Sequence, residues 1–122
     1  MIKLITSLII IVFSLFIYSS CSKNNGGGGG SGGTTADCST VSNKAFTADV
    51  NPIIQSTCAV NGCHASGSIN GPGALTNYSL IFNARNTIRS TVLSGSMPKN
   101  STLSTSAKNS IICWIDSGAP NN

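Results

Sequence analysis

The glycine tract at residues 26–33, interrupted only by Ser31, constrains this chain more than any other feature. Glycine has no side chain to bury, so the segment reads as a flexible tether rather than part of a core. Ahead of it, residues 4–17 are almost wholly apolar and follow Lys3. About 14 apolar residues fall short of the roughly 20 that a bilayer-spanning helix needs, and they suit the h-region of a secretion signal. An uncleaved membrane anchor is the alternative reading. About 85 residues, 37–122, remain to fold, enough for one domain. A domain that small usually needs a staple: disulfides, a metal or a cofactor.

Composition then narrows the function. Charged residues make up only 8% of the chain, Glu is absent, and the formal net charge is +4. Loss of Lys3 with a leader leaves six basic residues against three Asp, or +3. That density is too low for a nucleic-acid stripe, and Arg85 and Arg89 are the only basic pair at helical spacing. No nucleic-acid partner is expected. Asp37, Asp49 and Asp116 are scattered, there is one His, and no nucleophile elbow accompanies the many Ser and Thr. The chain is therefore read as a non-enzyme. Its size and lack of motifs exclude a large α/β enzyme, a transporter and a dinucleotide-binding fold.

The cysteines carry the chemistry. Tyr18-Ser19-Ser20-Cys21 places small residues before a cysteine. This resembles a bacterial lipobox, in which the cysteine is acylated, with Tyr18 where such boxes usually carry Leu. Residues 1–20 are then a lipoprotein signal, and residues 21–36 are the acylated Cys21 plus its tether. Residues 22–37 have an r.m.s. reach of roughly 20–24 Å. Acyl chains would hold the domain on a bacterial membrane outside the cytoplasm, the outer membrane or cell surface being favoured. In that oxidising compartment free thiols seldom persist.

Four cysteines remain: Cys38, Cys58, Cys63 and Cys113. His64, the only histidine, directly follows Cys63, so residues 58–64 read C-x4-C-H. The signature for covalent haem c attachment is C-x-x-C-H, and this is that arrangement with two more residues between the thiols. Two thiols can bond the haem vinyl groups while the adjacent imidazole becomes the proximal iron ligand. Gly62 could help the longer loop to turn. Other readings are a Cys58–Cys63 disulfide with His64 incidental, a zinc site using a further cysteine, and coincidence. Met97, the only Met downstream of the leader, precedes Pro98. Its thioether suits haem iron as a second axial ligand or, equally within its chemistry, fills a gap in the core.

Taken together, residues 46–120 resemble a small class I monohaem cytochrome c, of the lipid-anchored kind found in Bacteroidetes-like bacteria. The resemblance rests on Phe46, Val50 and Pro52-Ile53-Ile54, then C-x4-C-H, Tyr78, Met97-Pro98, and Ile111, Trp114-Ile115 and Gly118-Ala119-Pro120. The His64-to-Met97 interval is short for that family. The resemblance implies an all-α domain around one covalent haem c and one-electron transfer to a redox partner protein in the cell envelope. It gives Cys58 and Cys63 the thioethers, and His64 and Met97 the iron. It also implies a backbone carbonyl at Gly71-Pro72 for the His64 Nδ1–H, although an ordinary turn would use the same residues. Trp114 would flank the haem or simply pack the core.

Local patterns agree with helices. Residues 47–57 form a first helix, with Thr47 as N-cap and Asp49 in the first turn. Residues 78–93 form one or two helices, broken near Asn83 and Asn86 and stopped by Gly95. Ala107, Ile111, Trp114 and Ile115 share one face of a last helix that Ser104 caps and Gly118 ends. In the cytochrome reading Cys38 and Cys113 are left to bridge, which would contribute about 4 kcal/mol by loop entropy. If Met97 does not ligate, the open iron site makes a haem sensor. The reading from a different class is a cofactor-free, disulfide-bonded surface lipoprotein acting as an interaction module.

Overall fold

The computed structural model describes residues 35–122. The leader, Cys21 and the glycine tract lie outside the described residues. A π-helical turn, Phe46–Val50, runs straight into α1, Asn51–Thr57. Helices α2, Tyr78–Ser94, and α3, Thr105–Asp116, follow. No strand occurs among the described residues, so this part of the chain is all-helical.

The start of the first helical segment is capped from far away. Thr47 does not serve as its N-cap. The Phe46 and Thr47 N–H groups instead donate to the side-chain and backbone oxygens of Asn122, at 2.9 and 2.8 Å. The Asp49 carboxylate accepts the Ala45 N–H at 2.9 Å, which satisfies another free donor at the helix start. Pro52 falls within the first two positions of α1, where its missing N–H costs nothing.

Helix α2 is a single helix. Asn77 caps its start by accepting from Leu80 N at 3.0 Å, and Gly95 ends it in the left-handed region at φ 75°. Asn83 and Asn86 face solvent, while Ile81, Ala84, Ile88 and Val92 are buried along one stripe. Packing of that stripe outweighs the modest helix-interior cost of Asn. Helix α3 starts as its sequence indicates, with Ser104 Oγ accepting from Ala107 N at 3.1 Å.

Helix α3 packs against both α2 and the π-helical turn. Trp114, Ile111, Ile112, Ile54, Ile81 and Val50 are the large side chains fully shut from solvent. Phe46 lies between two aromatics, edge-on to Tyr78 at 5.0 Å and tilted against Trp114 at 5.4 Å. Such pairs contribute about 0.5–1.5 kcal/mol beyond area burial. The polar tips of this cluster hold the C-terminal tail: Tyr78 Oη donates to Ala119 O at 2.9 Å, and Trp114 Nε1 donates to Pro120 O at 2.8 Å. The same tail therefore locks the cluster and caps the first helix.

Cys38 and Cys113 form a disulfide with Cα atoms 5.4 Å apart, across a sequence separation of 75. It joins the arm ahead of the first helix to α3. Ala36, one residue ahead of the boundary expected from sequence, already packs against the core. On the surface, Arg89 of α2 grips Asp116 of α3 with two charge-assisted bonds, Nε–Oδ1 2.6 Å and Nη2–Oδ2 3.0 Å. The carboxylate beside it raises the Arg89 pKa further above its ordinary value.

Candidate functional site

The site begins where α1 ends. Cys58 is the C-cap residue of α1, and its N–H and that of Ala59 both donate to Ile54 O at 2.8 Å. The chain then loops out and returns. Cys63 N donates to Val60 O at 3.0 Å, Gly62 takes φ 80°, and His64 N closes the loop onto Cys58 O at 3.0 Å. That last bond brings Cys58 beside His64 across the five residues between them. The extra length bulges outward, as a glycine with positive φ permits.

A second loop braces the first. The Asn70 side-chain amide donates to Gly62 O at 3.1 Å and to Cys63 O at 3.0 Å. The Ser68 hydroxyl also bonds Cys63 O. Leu75 N donates to His64 O at 2.9 Å, and Gln55 Nε2 donates to Leu75 O at 3.0 Å, so the far end of the loop is tied back to α1.

The imidazole is fixed by the same loop. His64 is only 7% exposed, and its Nδ1 lies 2.8 Å from Gly73 O. With the Nδ1–H donated there, Nε2 is the nitrogen left for a ligand, and it has no hydrogen-bond partner among the described residues. The acceptor corrects the expectation from sequence. It is the carbonyl of Gly73, one residue beyond Pro72. A turn closed by Gly73 N to Asn70 O, with Gly73 at φ 99°, carries that carbonyl to the ring. Pro72 instead lines the adjoining cavity.

That cavity measures about 620 Å³, within the roughly 300–1,000 Å³ typical of small-molecule and cofactor sites. Cys58, Cys63 and His64 border it, and Met97 and Pro98 border it from the loop after α2. Ile54, Leu75, Ile88 and Val92 form apolar wall. Met97 is half-buried, and its N–H donates to Thr91 O at 3.1 Å, which anchors the loop to the last turn of α2. The structure thus places four of the expected side chains on one cavity.

Cys58 and Cys63 are both free thiols, and no disulfide joins them. Burial pushes the Cys58 pKa up, and the neighbouring Cys63 thiolate adds to the rise. Among the described residues no three His, Cys, Asp or Glu side chains converge as metal ligands. Cys38 and Cys113, the cysteines a zinc site would have to recruit, are consumed in the disulfide.

Trp114 stands apart from the cavity. It is 0% exposed, tilted against Phe46 and tied to Pro120, and the cavity wall does not include it. Its face of α3 points at the π-helical turn, so the core-packing alternative is the one observed. Sequence reasoning missed Asn70, Gly73 and Asn122. Gly73 had a readable signal, since Gly-Pro-Gly favours a turn with positive φ. Asn70 and Asn122 had none, because their partners depend on the fold.

Comparison with protein-family models, curated proteins and solved structures finds no match to this chain.

Proposed function

We propose that the domain is a covalent haem c carrier that passes single electrons to a partner protein at the cell envelope. One observation carries the reading. Two unbridged thiols and a histidine pinned at Nδ1 converge on one cavity that Met97 also borders. In the same domain the other two cysteines are oxidised to a disulfide, which fits an oxidising compartment and makes the two free thiols the exception.

The residues fit the group. Cys58 and Cys63 would hold the porphyrin through two thioethers, and His64 Nε2 and Met97 Sδ would hold the iron. A haem bound there would supply ferric/ferrous one-electron chemistry. The Gly73 carbonyl fixes the His64 tautomer and strengthens Nε2 as a donor. Ile54, Leu75, Ile88 and Val92 give the cavity an apolar wall, and a thioether ligand beside such a wall would favour a raised potential. If His64 and Met97 both held the iron, no open position would be left for a small ligand, and a bound haem would supply electron transfer. Cys21, as a lipid anchor, would keep the carrier on the outer membrane or cell surface, outside the cytoplasm.

The decisive experiment is an absorption spectrum of natively matured protein, with a haem stain on a denaturing gel. A Soret band, an α band and a stain that survives denaturation are expected. A colourless protein with two alkylatable thiols at Cys58 and Cys63 would replace this reading with the disulfide-bonded interaction module.

A further inference from the structure

We infer that Lys99, with Asn100 and Ser101, forms the anion-binding end of the cavity and holds a carboxylate of its ligand. This deepens the proposed function and rests on it, because haem c carries two propionate carboxylates on an otherwise apolar body.

The described residues contain five cations: Lys44, Arg85, Arg89, Lys99 and Lys108. Three are engaged within the protein. Arg89 grips Asp116, Lys108 Nζ donates to Leu93 O at 3.0 Å, and Arg85 donates to Phe82 O while its guanidinium sits 4.0 Å over the Phe82 ring. The Nζ groups of Lys44 and Lys99 have no hydrogen-bond or ion-pair partner among the described residues. Of those two, only Lys99 borders the cavity.

Its neighbours reinforce it. Asn100 and Ser101 also line the cavity, and neither side chain has a hydrogen-bond partner among the described residues. Asn100 adopts φ 59°, a left-handed conformation that Asn tolerates better than most residues. Three consecutive donor-bearing side chains, one of them charged, therefore border a cavity whose wall also includes Ile54, Leu75, Ile88 and Val92. An apolar wall with a single cationic donor strip fits an amphipathic ligand: an apolar body with an anionic end. Among the described residues no carboxylate lines the cavity to compete for Lys99.

A zero-length cross-link tests the pairing on matured protein. A water-soluble carbodiimide converts a carboxylate into an O-acylisourea, and the Lys99 amine attacks its acyl carbon. An amide forms with loss of a proton from nitrogen, and the carboxylate oxygen leaves as the urea. Digestion and mass spectrometry should then show the haem peptide of Cys58 and Cys63 joined to the Lys99 peptide, one water lighter than the two apart. Lys99→Gln should abolish that species, and Lys44→Gln should leave it intact. A haem peptide recovered unlinked, or linked to Lys44 or Lys108 instead, overturns the inference while leaving the proposed function standing. Absence of any haem peptide overturns both, and the two failures are told apart by the mass of the 58–64 peptide.

Discussion

The two ends of this small domain are built by different means. At one end, α3, the π-helical turn and the C-terminal tail are joined by the Cys38–Cys113 bridge and by Phe46, Tyr78 and Trp114. At the cavity end, the stretch between α1 and α2 buries only His64 and Leu75, and the loop between α2 and α3 buries no side chain. Its shape comes from turns: the bonds of Asn70, Ser68 and Gly73 to backbone, and glycines with positive φ. The contrast teaches that the domain separates its stability from its chemistry. The first end can be rigid without any ligand, while the second supplies donors and thiols in a set geometry.

Substitutions can break this contrast. The largest expected effect is at Trp114. Trp114→Ala removes a fully buried ring, the Phe46 contact and the Pro120 bond, and should cost about 3–5 kcal/mol in denaturant unfolding. Much of a small domain's stability of roughly 5–15 kcal/mol would go. A loss near zero would deny that this end holds the fold. Next, the Cys38→Ser/Cys113→Ser double variant should lose about 4 kcal/mol, read as a lower denaturation midpoint. At the cavity end the effects should be smaller. Asn70→Ala removes two partly solvated hydrogen bonds and should cost about 1–2 kcal/mol, with a rise in the alkylation rate at Cys63.

Met97→Ala should separate fold from ligand binding. It should leave the unfolding midpoint within about 1 kcal/mol of the parent, since the side chain is only half-buried. In haem-loaded protein it should lower the reduction potential and let carbon monoxide bind. An unchanged potential would remove Met97 from the ligand set.

The smallest effect concerns pH. In protein without haem, burial raises the Cys58 pKa, so Cys58 should alkylate more slowly than Cys63 at neutral pH, with the gap narrowing as pH climbs. The same shift ties stability to pH. Between the ordinary thiol value of about 8.5 and the raised folded value, the folded state binds more protons than the unfolded chain. The stabilisation is therefore complete below that range and is lost as pH rises through it, which alkaline unfolding curves would register.

Much of the rigid end was legible in the sequence. Ser104, Ala107, Ile111, Trp114 and Ile115 describe α3 because capping and periodicity are local. The continuity of α2 was not legible, since Asn83 and Asn86 argue for a break until the burial of Ala84 between them is known. The capping of the first helix was hidden too, because Asn122 reaches Phe46 and Thr47 only in the folded chain. At the cavity, residue types and order pointed to Cys58, Cys63, His64 and Met97 together. Which carbonyl meets the ring could not be read, because Pro72 and Gly73 differ only in the turn that closes behind them.

The Cys38–Cys113 bridge has one more consequence. Tension arriving from the residues ahead of Cys38 passes through sulfur directly into α3. The chain between the two cysteines, which are 75 apart in sequence, carries the cavity and is then mechanically short-circuited. A pull applied at Cys38 would bypass α1 and α2, which lie between the two cysteines.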